Sequence, residues 1–188
     1  MHQDEVIDLF KKTNALLEGH FILRSGLHSR QFFQCALLLQ HPSVAARVCG
    51  ALAEKLRGHE VDSVISPALG GIIVGHEVAR TLDKRHIFTE KEDGKLVLRR
   101  FSITPGERFL VIEDVVTRGG RLQETIDIVK AHGGIVVAAG SLVNRSGGNL
   151  PDFGCPFESL VVMSPETFEP DQLPPDLAAI PPIKPGSK

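Results

Sequence analysis

Apolar and polar positions alternate in distinct periods along this chain, and the changes of period mark its elements. Residues 4–18 place Val6, Ile7, Phe10, Asn14 and Leu17 on one helical stripe, which Gly19 ends. Phe21-Ile22-Leu23 reads as a short extended segment. The polar turn Ser25-Gly26-Leu27-His28-Ser29 follows, and Phe32-Phe33 begins a second extended piece. Ser43 is placed to cap a helix carrying Val44, Val48, Leu52 and Leu56, with Lys55 and Arg57 near its negative end and Gly58 beyond. Val61 to Ser66 reads as a buried strand running into Pro67-Ala68-Leu69-Gly70-Gly71, and Ile72 to Leu82 as a helix. His86 to Thr89 reads as a strand, and Glu90 to Arg100 as a charged hairpin turning at Asp93-Gly94.

The most informative stretch runs from Phe109 to Arg121. Phe109-Leu110-Val111-Ile112 is an apolar run, followed by Glu113 and Asp114, then Val115, Val116, Thr117, Arg118, Gly119, Gly120 and Arg121. Leu122, Ile126 and Val129 recur at helical spacing until Gly133-Gly134. The order is buried strand, acidic strand end, glycine loop, helix start. Backbone N–H groups converge at a helix start, and two glycines leave the approach open, so the stretch suits a phosphate. The acids beside it suit sugar hydroxyls or a metal ion. Ile135 to Ala139 and Leu160 to Met163 supply two further strands.

Strands alternating with helices from residue 43 to 139 predict an α/β fold with a mostly parallel central sheet flanked by helices. The 188 residues fit a single domain. Within it, residues 1–40 form a cap over the C-terminal edge of the sheet, 41–163 the α/β core, and 164–188 a proline-rich C-terminal arm. That arm holds seven of the twelve prolines, which predicts neither a helix nor a central strand but an extended or disordered segment.

Composition narrows the function. A net charge of −2 gives no general electrostatic footprint for nucleic acid. No apolar run approaches the ~20 residues of a membrane span, and the start Met1-His2-Gln3-Asp4-Glu5 is acidic where a signal peptide is basic. Cys35, Cys49 and Cys155 lack ligand-like spacing and read as idle thiols in a reducing cytoplasm. Without Trp or Tyr, aromatic stacking at a site falls to Phe or His.

Two strand-to-helix junctions, Pro67–Gly71 and Thr117–Gly120, are rich in glycine, and a compound with two separated phosphate groups would explain both. The P-loop and dinucleotide glycine patterns are absent, as are His-Glu-x-x-His and Gly-x-Ser-x-Gly.

The segment Glu113–Arg121 closely resembles the phosphoribosyl pyrophosphate (PRPP) motif of type I phosphoribosyltransferases. Within that group the chain is similar to orotate phosphoribosyltransferases. Gly19-His20-Phe21-Ile22-Leu23-Arg24-Ser25-Gly26-Leu27-His28-Ser29 resembles their N-terminal hood motif, and Pro67-Ala68-Leu69-Gly70-Gly71 their pyrophosphate loop. Phe88 to Gly94 sits where the family has a mobile catalytic loop, and Asn144-Arg145 where it has a substrate-contacting Arg.

The resemblance implies a Mg²⁺-dependent transfer of phosphoribosyl from PRPP to orotate in a cytoplasmic homodimer whose Lys91 loop serves the partner's site. Glu113, Asp114 and Lys91 would be catalytic. Val115 through Arg121, with Leu69 and Gly70, would bind PRPP. Thr117, Arg145, Arg24, Phe32 and Phe33 would bind orotate. Mg²⁺ would be held through PRPP, with Glu113 and Asp114 at hand rather than a dedicated cage. The chain departs from the pattern in having Gly70 where some relatives carry Lys, Arg118 and Arg121 where Thr and Ser are common, and no His or second Lys just after Lys91-Glu92. Transfer to another base is the nearest alternative, opposed by Arg145 and the hood motif. A non-catalytic PRPP sensor is another, opposed by Lys91 and the hood.

Overall fold

Among the described residues of the computed structural model, 1–23 and 25–185, six strands form a central sheet and three a smaller one. The chain enters through α1 (Gln3–Lys12), β1 (Leu16–Ile22), β2 (His28–Phe33), α2 (Cys35–Leu39) and α3 (Pro42–Leu56). The core then runs β3 (Ser63–Pro67), α4 (Gly70–Leu82), β4 (Arg85–Glu92), β5 (Lys95–Val97), β6 (Arg108–Val116), α5 (Gly120–Ala131), β7 (Ile135–Asn144) and β8 (Phe157–Val162). The arm adds β9 (Thr167–Phe168) and α6 (Pro175–Ala178).

The strand order is β5-β4-β3-β6-β7-β8, parallel except for the antiparallel edge strand β5. From β3 the chain lays down β4 and β5 on one side, then crosses to build β6, β7 and β8 on the other. This reversal leaves a crevice at the C-terminal ends of β3 and β6, where open α/β sheets bind ligands.

Alternate residues of the buried strands face opposite layers. Val64, Leu110 and Ile112 pack with Val48 and Leu52 of α3 and Val74 and Val78 of α4. Ile65, Phe109 and Val111 pack with Leu122, Ile126 and Val129 of α5. Cover on both faces explains why Phe109–Ile112 is continuously apolar. On the α4 side the layers approach closely: a Cβ at Gly75 would lie 2.5 Å from His86 Nε2. That imidazole is bonded to Ser66 Oγ at 2.8 Å. No helix among the described residues is long and apolar enough to cross a membrane.

Four sequence expectations change, one being that α3 starts at Pro42 with His41, not Ser43, at its N-cap. The first helix stops at Lys12 rather than continuing to residue 18. Asn14 turns left-handed with φ 53°, which Asn tolerates well, and Leu16 and Leu17 pair with Phe33 and Phe32 in β1–β2. The apolar spacing of Leu17 served a strand, where pairing outweighs helical periodicity. The short helix α2 was not expected. The arm, finally, does contain a helical turn and a strand. Pro175 occupies the start of α6, where no N–H is required, and β9 pairs with β2.

The arm closes on the hairpin β1–β2. Ile183 pairs with Phe21, and Arg30 meets Glu166 at 3.1 Å and Asp176 at 2.9 Å. His20 Nδ1 donates to the Ile180 carbonyl at 2.6 Å. With that proton placed, His20 Nε2 accepts from His28 Nδ1 at 2.5 Å. His20 and His28 are buried parts of this clasp.

Candidate active site

The site is built on the ends of β6 and β3. Glu113, Asp114 and Val115 are half-buried near the end of β6, Val116 is buried, and Thr117 and Arg118 are exposed beyond it. Gly119 then turns left-handed with φ 76°. A Cβ there would lie 2.8 Å from the Phe153 ring, so glycine is required on both counts. Gly119 caps α5 without a side-chain hydrogen bond, and Gln123 N–H makes the bond to its carbonyl at 2.8 Å. The amides of Gly120, Arg121 and Leu122 precede any helical acceptor, so this turn offers N–H groups and positive dipole to an anion.

The second glycine junction touches the first. The Ala68-Leu69 peptide is cis, the Ala68 amide bonds the Thr89 carbonyl at 2.8 Å, and Leu69 is 83% exposed. Gly70 opens α4 directly against the Asp114 carboxylate: a Cβ at position 70 would lie 2.6 Å from Asp114 Oδ2 and 2.7 Å from Oδ1. With Asp114 in this place there is no room for a side chain at position 70.

Lys91 stands exposed on the β4–β5 ribbon. Asp93 (φ 47°) and Gly94 (φ 85°) form the two-residue turn with both angles positive, as the Asp-Gly pair predicted. Arg100 is paired with Glu90 at 2.8 Å and Arg99 with Glu92 at 3.4 Å. Among the described residues Lys91 and Lys95 are in no ion pair. The ribbon also meets α5: Glu124 Oε1 accepts the Leu96 N–H at 2.5 Å, and Arg121 donates to Gly94 O at 3.1 Å.

Arg145 follows β7 and is tied to β6 by its N–H to the Val116 carbonyl at 2.7 Å. Its guanidinium lies 6.0 Å from the Phe33 ring centroid, and burial lowers its pKa. Phe33 is buried and packs edge-on to Phe10 at 5.1 Å. Phe32, on the opposite face of β2 by strand alternation, is 6.0 Å from Phe21. Arg24 lies outside the described residues. Among the described residues two buried side-chain atoms lack a hydrogen-bond partner, Thr89 Oγ1 and Arg145 Nε, and both belong to residues at the C-terminal edge of the sheet. Unpaired buried polar atoms are costly, and a ligand in the crevice is one way to satisfy them.

The structure thus brings Gly70, Asp114 and the Thr117–Gly120 loop to one crevice, sets Arg145 over Phe33, and rests the Lys91 ribbon on α5. Sequence reasoning missed Glu124, whose signal is its spacing three residues after Arg121, and Phe153, Cys35 and Thr89, which carry none. Cys35 Sγ lies 4.0 Å from the Asp114 carbonyl. Burial, with Asp114 adding, pushes its thiol well above the usual range, which keeps it neutral. No cluster of three or more His, Cys, Asp or Glu able to hold a metal occurs among the described residues. Glu113 and Asp114 nonetheless suit a Mg²⁺ ion that takes most of its oxygen ligands from a substrate.

Comparison with known proteins agrees with this geometry. Residues 36–162 match the family model described as a phosphoribosyl transferase domain. The orotate phosphoribosyltransferase of Desulforamulus reducens is 49% identical over 189 residues, covering 100% of this chain and 98% of the relative. That of Caldicellulosiruptor bescii is also 49% identical, covering 100% and 99%. Among solved structures, orotate phosphoribosyltransferase from Aeropyrum pernix superposes with a TM-score of 0.68 at 25% identity, covering 84% of this chain and 93% of that one. Strand order, glycine junctions and full-length similarity converge, and the chain belongs to the type I phosphoribosyltransferase family, on its orotate phosphoribosyltransferase branch.

Proposed function

We propose that this chain joins N1 of orotate to C1 of the ribose of PRPP, giving orotidine 5′-monophosphate and pyrophosphate in pyrimidine synthesis. The observation that carries the substrate is Arg145. A half-buried guanidinium with an unpartnered Nε is matched by a planar carboxylate, and orotate is a pyrimidine base that carries one.

The residues divide the work by charge. Amides of Gly119, Gly120 and Arg121, with the Thr117 hydroxyl and the Arg118 and Arg121 side chains, hold the 5′-phosphate. Val115 and Val116 set the loop's exit from the sheet. Glu113 and Asp114 face the ribose hydroxyls and lower the energy of the positive charge that develops at C1 as the bond to pyrophosphate breaks. Leu69 and Gly70 lie along the departing pyrophosphate, and Lys91 neutralises it. Glu113 or Asp114 would join substrate oxygens in holding Mg²⁺, which would supply charge neutralisation there. Arg145 and Arg24 take orotate, with Thr117, Phe32 and Phe33 shaping its slot. No covalent enzyme intermediate is needed, because positioning and electrostatics suffice.

We also place the enzyme in the cytoplasm, where its three free thiols stay reduced, and as a homodimer. Leu69 and Ile73, 83% and 46% exposed at the start of α4, give a second copy an apolar surface to cover. In that dimer Lys91 serves the partner's site.

Mixing the protein with Mg²⁺, PRPP and orotate and following loss of orotate absorbance tests the reading. Turnover with orotate supports it. Turnover of uracil or a purine instead would overturn the substrate, and PRPP binding without turnover of any base would indicate a sensor.

A further inference from the structure

The ribbon that carries Lys91 is held at two points by the first turns of α5, and one side chain joins both. Glu124 Oε1 accepts the Leu96 N–H at 2.5 Å. Arg121 donates to Glu124 Oε2 at 2.7 Å and to the Gly94 carbonyl at 3.1 Å. Leu96 stands opposite Lys91 in the register of β4 and β5. Because its N–H leaves the ribbon outward to Glu124, this is a non-hydrogen-bonded pair, and the Lys91 and Leu96 side chains share one face. Leu96 is buried on that face and Lys91 is exposed. Gripping Leu96 therefore fixes the backbone from which Lys91 projects.

Arg121 also follows Gly119-Gly120 directly, in the turn whose amides form the phosphate cradle. Its present partners are a neutral carbonyl and a single carboxylate, in a pair about one-third exposed on each side and so partly screened by solvent. A phosphate on the neighbouring amides offers the same guanidinium a bidentate contact with a group of higher charge.

We propose that Arg121 and Glu124 form a catch that holds the Lys91 ribbon against α5 and is released by the 5′-phosphate of the substrate. Phosphate in the Thr117–Gly120 loop draws Arg121 from Gly94 and Glu124, Glu124 loses its brace, and the ribbon is freed. A sugar phosphate bound in one subunit then frees that subunit's Lys91 for the pyrophosphate group in the partner's site, whereas free pyrophosphate alone does not recruit it. The inference rests on the PRPP reading of the Thr117–Gly120 loop.

Hydrogen exchange resolved at single amides tests it, with ribose 5-phosphate as the probe because it carries the 5′-phosphate without the pyrophosphate. Saturating ribose 5-phosphate should slow the amides of residues 119–122 and speed the Leu96 amide about fivefold, the population change expected from losing one hydrogen bond of ordinary net strength. Glu124→Ala should make the Leu96 amide fast without ligand and unresponsive to it, while residues 119–122 are still slowed. It should also make free pyrophosphate a stronger inhibitor, by about fivefold on the same reasoning. Simple structural damage would weaken that inhibition instead. Slowing at residues 119–122 with no change, or a slowing, at Leu96 would overturn the catch and leave the phosphate reading standing. So would unchanged or weaker pyrophosphate inhibition in Glu124→Ala. No slowing at residues 119–122 would overturn both.

Discussion

Arg145→Met separates what the ligand needs from what the empty protein needs. In the ligand-free chain the guanidinium is half-buried, its Nε is unpartnered, and burial alone lowers its pKa. Leaving a buried polar group unsatisfied costs about 1–3 kcal/mol. Methionine fills similar space without that penalty. Against this stands the contact with Phe33, which at 6.0 Å is at the limit of cation–π range and contributes about 0.5–1 kcal/mol. The net is a gain centred on about 1 kcal/mol, which for a chain of this size raises Tm by about 2–4 °C. With orotate the balance reverses. Losing a desolvated, hydrogen-bonded charge pair costs about 2–5 kcal/mol, so kcat/KM for orotate should fall by about 30- to 4,000-fold. Ligand-free thermal denaturation and steady-state kinetics with orotate varied at saturating PRPP read the two halves. A lower Tm together with near-normal kcat/KM for orotate would refute the reasoning, because Arg145 would then be a structural residue with partners of its own.

Three further outcomes follow from the geometry. Lys91→Ala should lower turnover by about 100-fold or more while changing PRPP affinity little; equal loss of both in a binding and turnover comparison would reduce Lys91 to ground-state binding. Mixing it with an inactive Asp114→Ala protein should restore activity if Lys91 serves the partner's site, and no recovery in a dimer shown to exchange subunits would place Lys91 in its own site. Gly70→Ala should displace the Asp114 carboxylate, which a Cβ would meet at 2.6 Å. Only a side-chain end has to move, so Tm should fall by less than about 2 °C while kcat/KM for PRPP drops about tenfold or more; unchanged kinetics would deny Asp114 its role. Burial, with His76 adding, pushes His86 down from 6.5 to about 4. Between those values the unfolded chain binds a proton that the native imidazole, bonded to Ser66 and packed on Gly75, does not. Stability should therefore be lost as pH falls through that window, by about 1–2 kcal/mol after discounting for partial exposure. His86→Gln should flatten the slope of Tm against pH, and an unchanged slope would assign the loss to other groups.

What could be read beforehand divides by the range of the forces involved. The β6–α5 unit was legible because a doubly covered strand must be apolar throughout and a left-handed turn favours glycine; both requirements are written in consecutive residues. The Asp93-Gly94 turn was legible for the same reason. The end of α1 was not, because Leu16 and Leu17 are claimed by partners in β2 that helical spacing cannot reveal. Nor was the order in the arm, since Leu177 becomes buried and Pro175 useful only once β1 and β2 exist to receive them. At the site, resemblance pointed to Arg145 and Lys91, while composition and periodicity alone would have passed over both. The contact between Gly70 and Asp114 joins a helix start and a strand end distant in sequence and is visible only in three dimensions.

The clasp between the N-terminal hairpin and the arm has a consequence for how the molecule is made. The His20–Ile180 bond spans 160 positions, and the Arg30–Asp176 pair 146. Contacts of such separation close slowly, because the intervening chain must be ordered before they form. On a ribosome, β1 and β2 emerge early and wait with an unpaired edge until the arm is synthesised, whereas the parallel core from β3 to β8 can assemble in the meantime. The clasp, and with it the strand that carries Phe33 beside Arg145, is then the last part to be completed, well after the chain has acquired its central sheet.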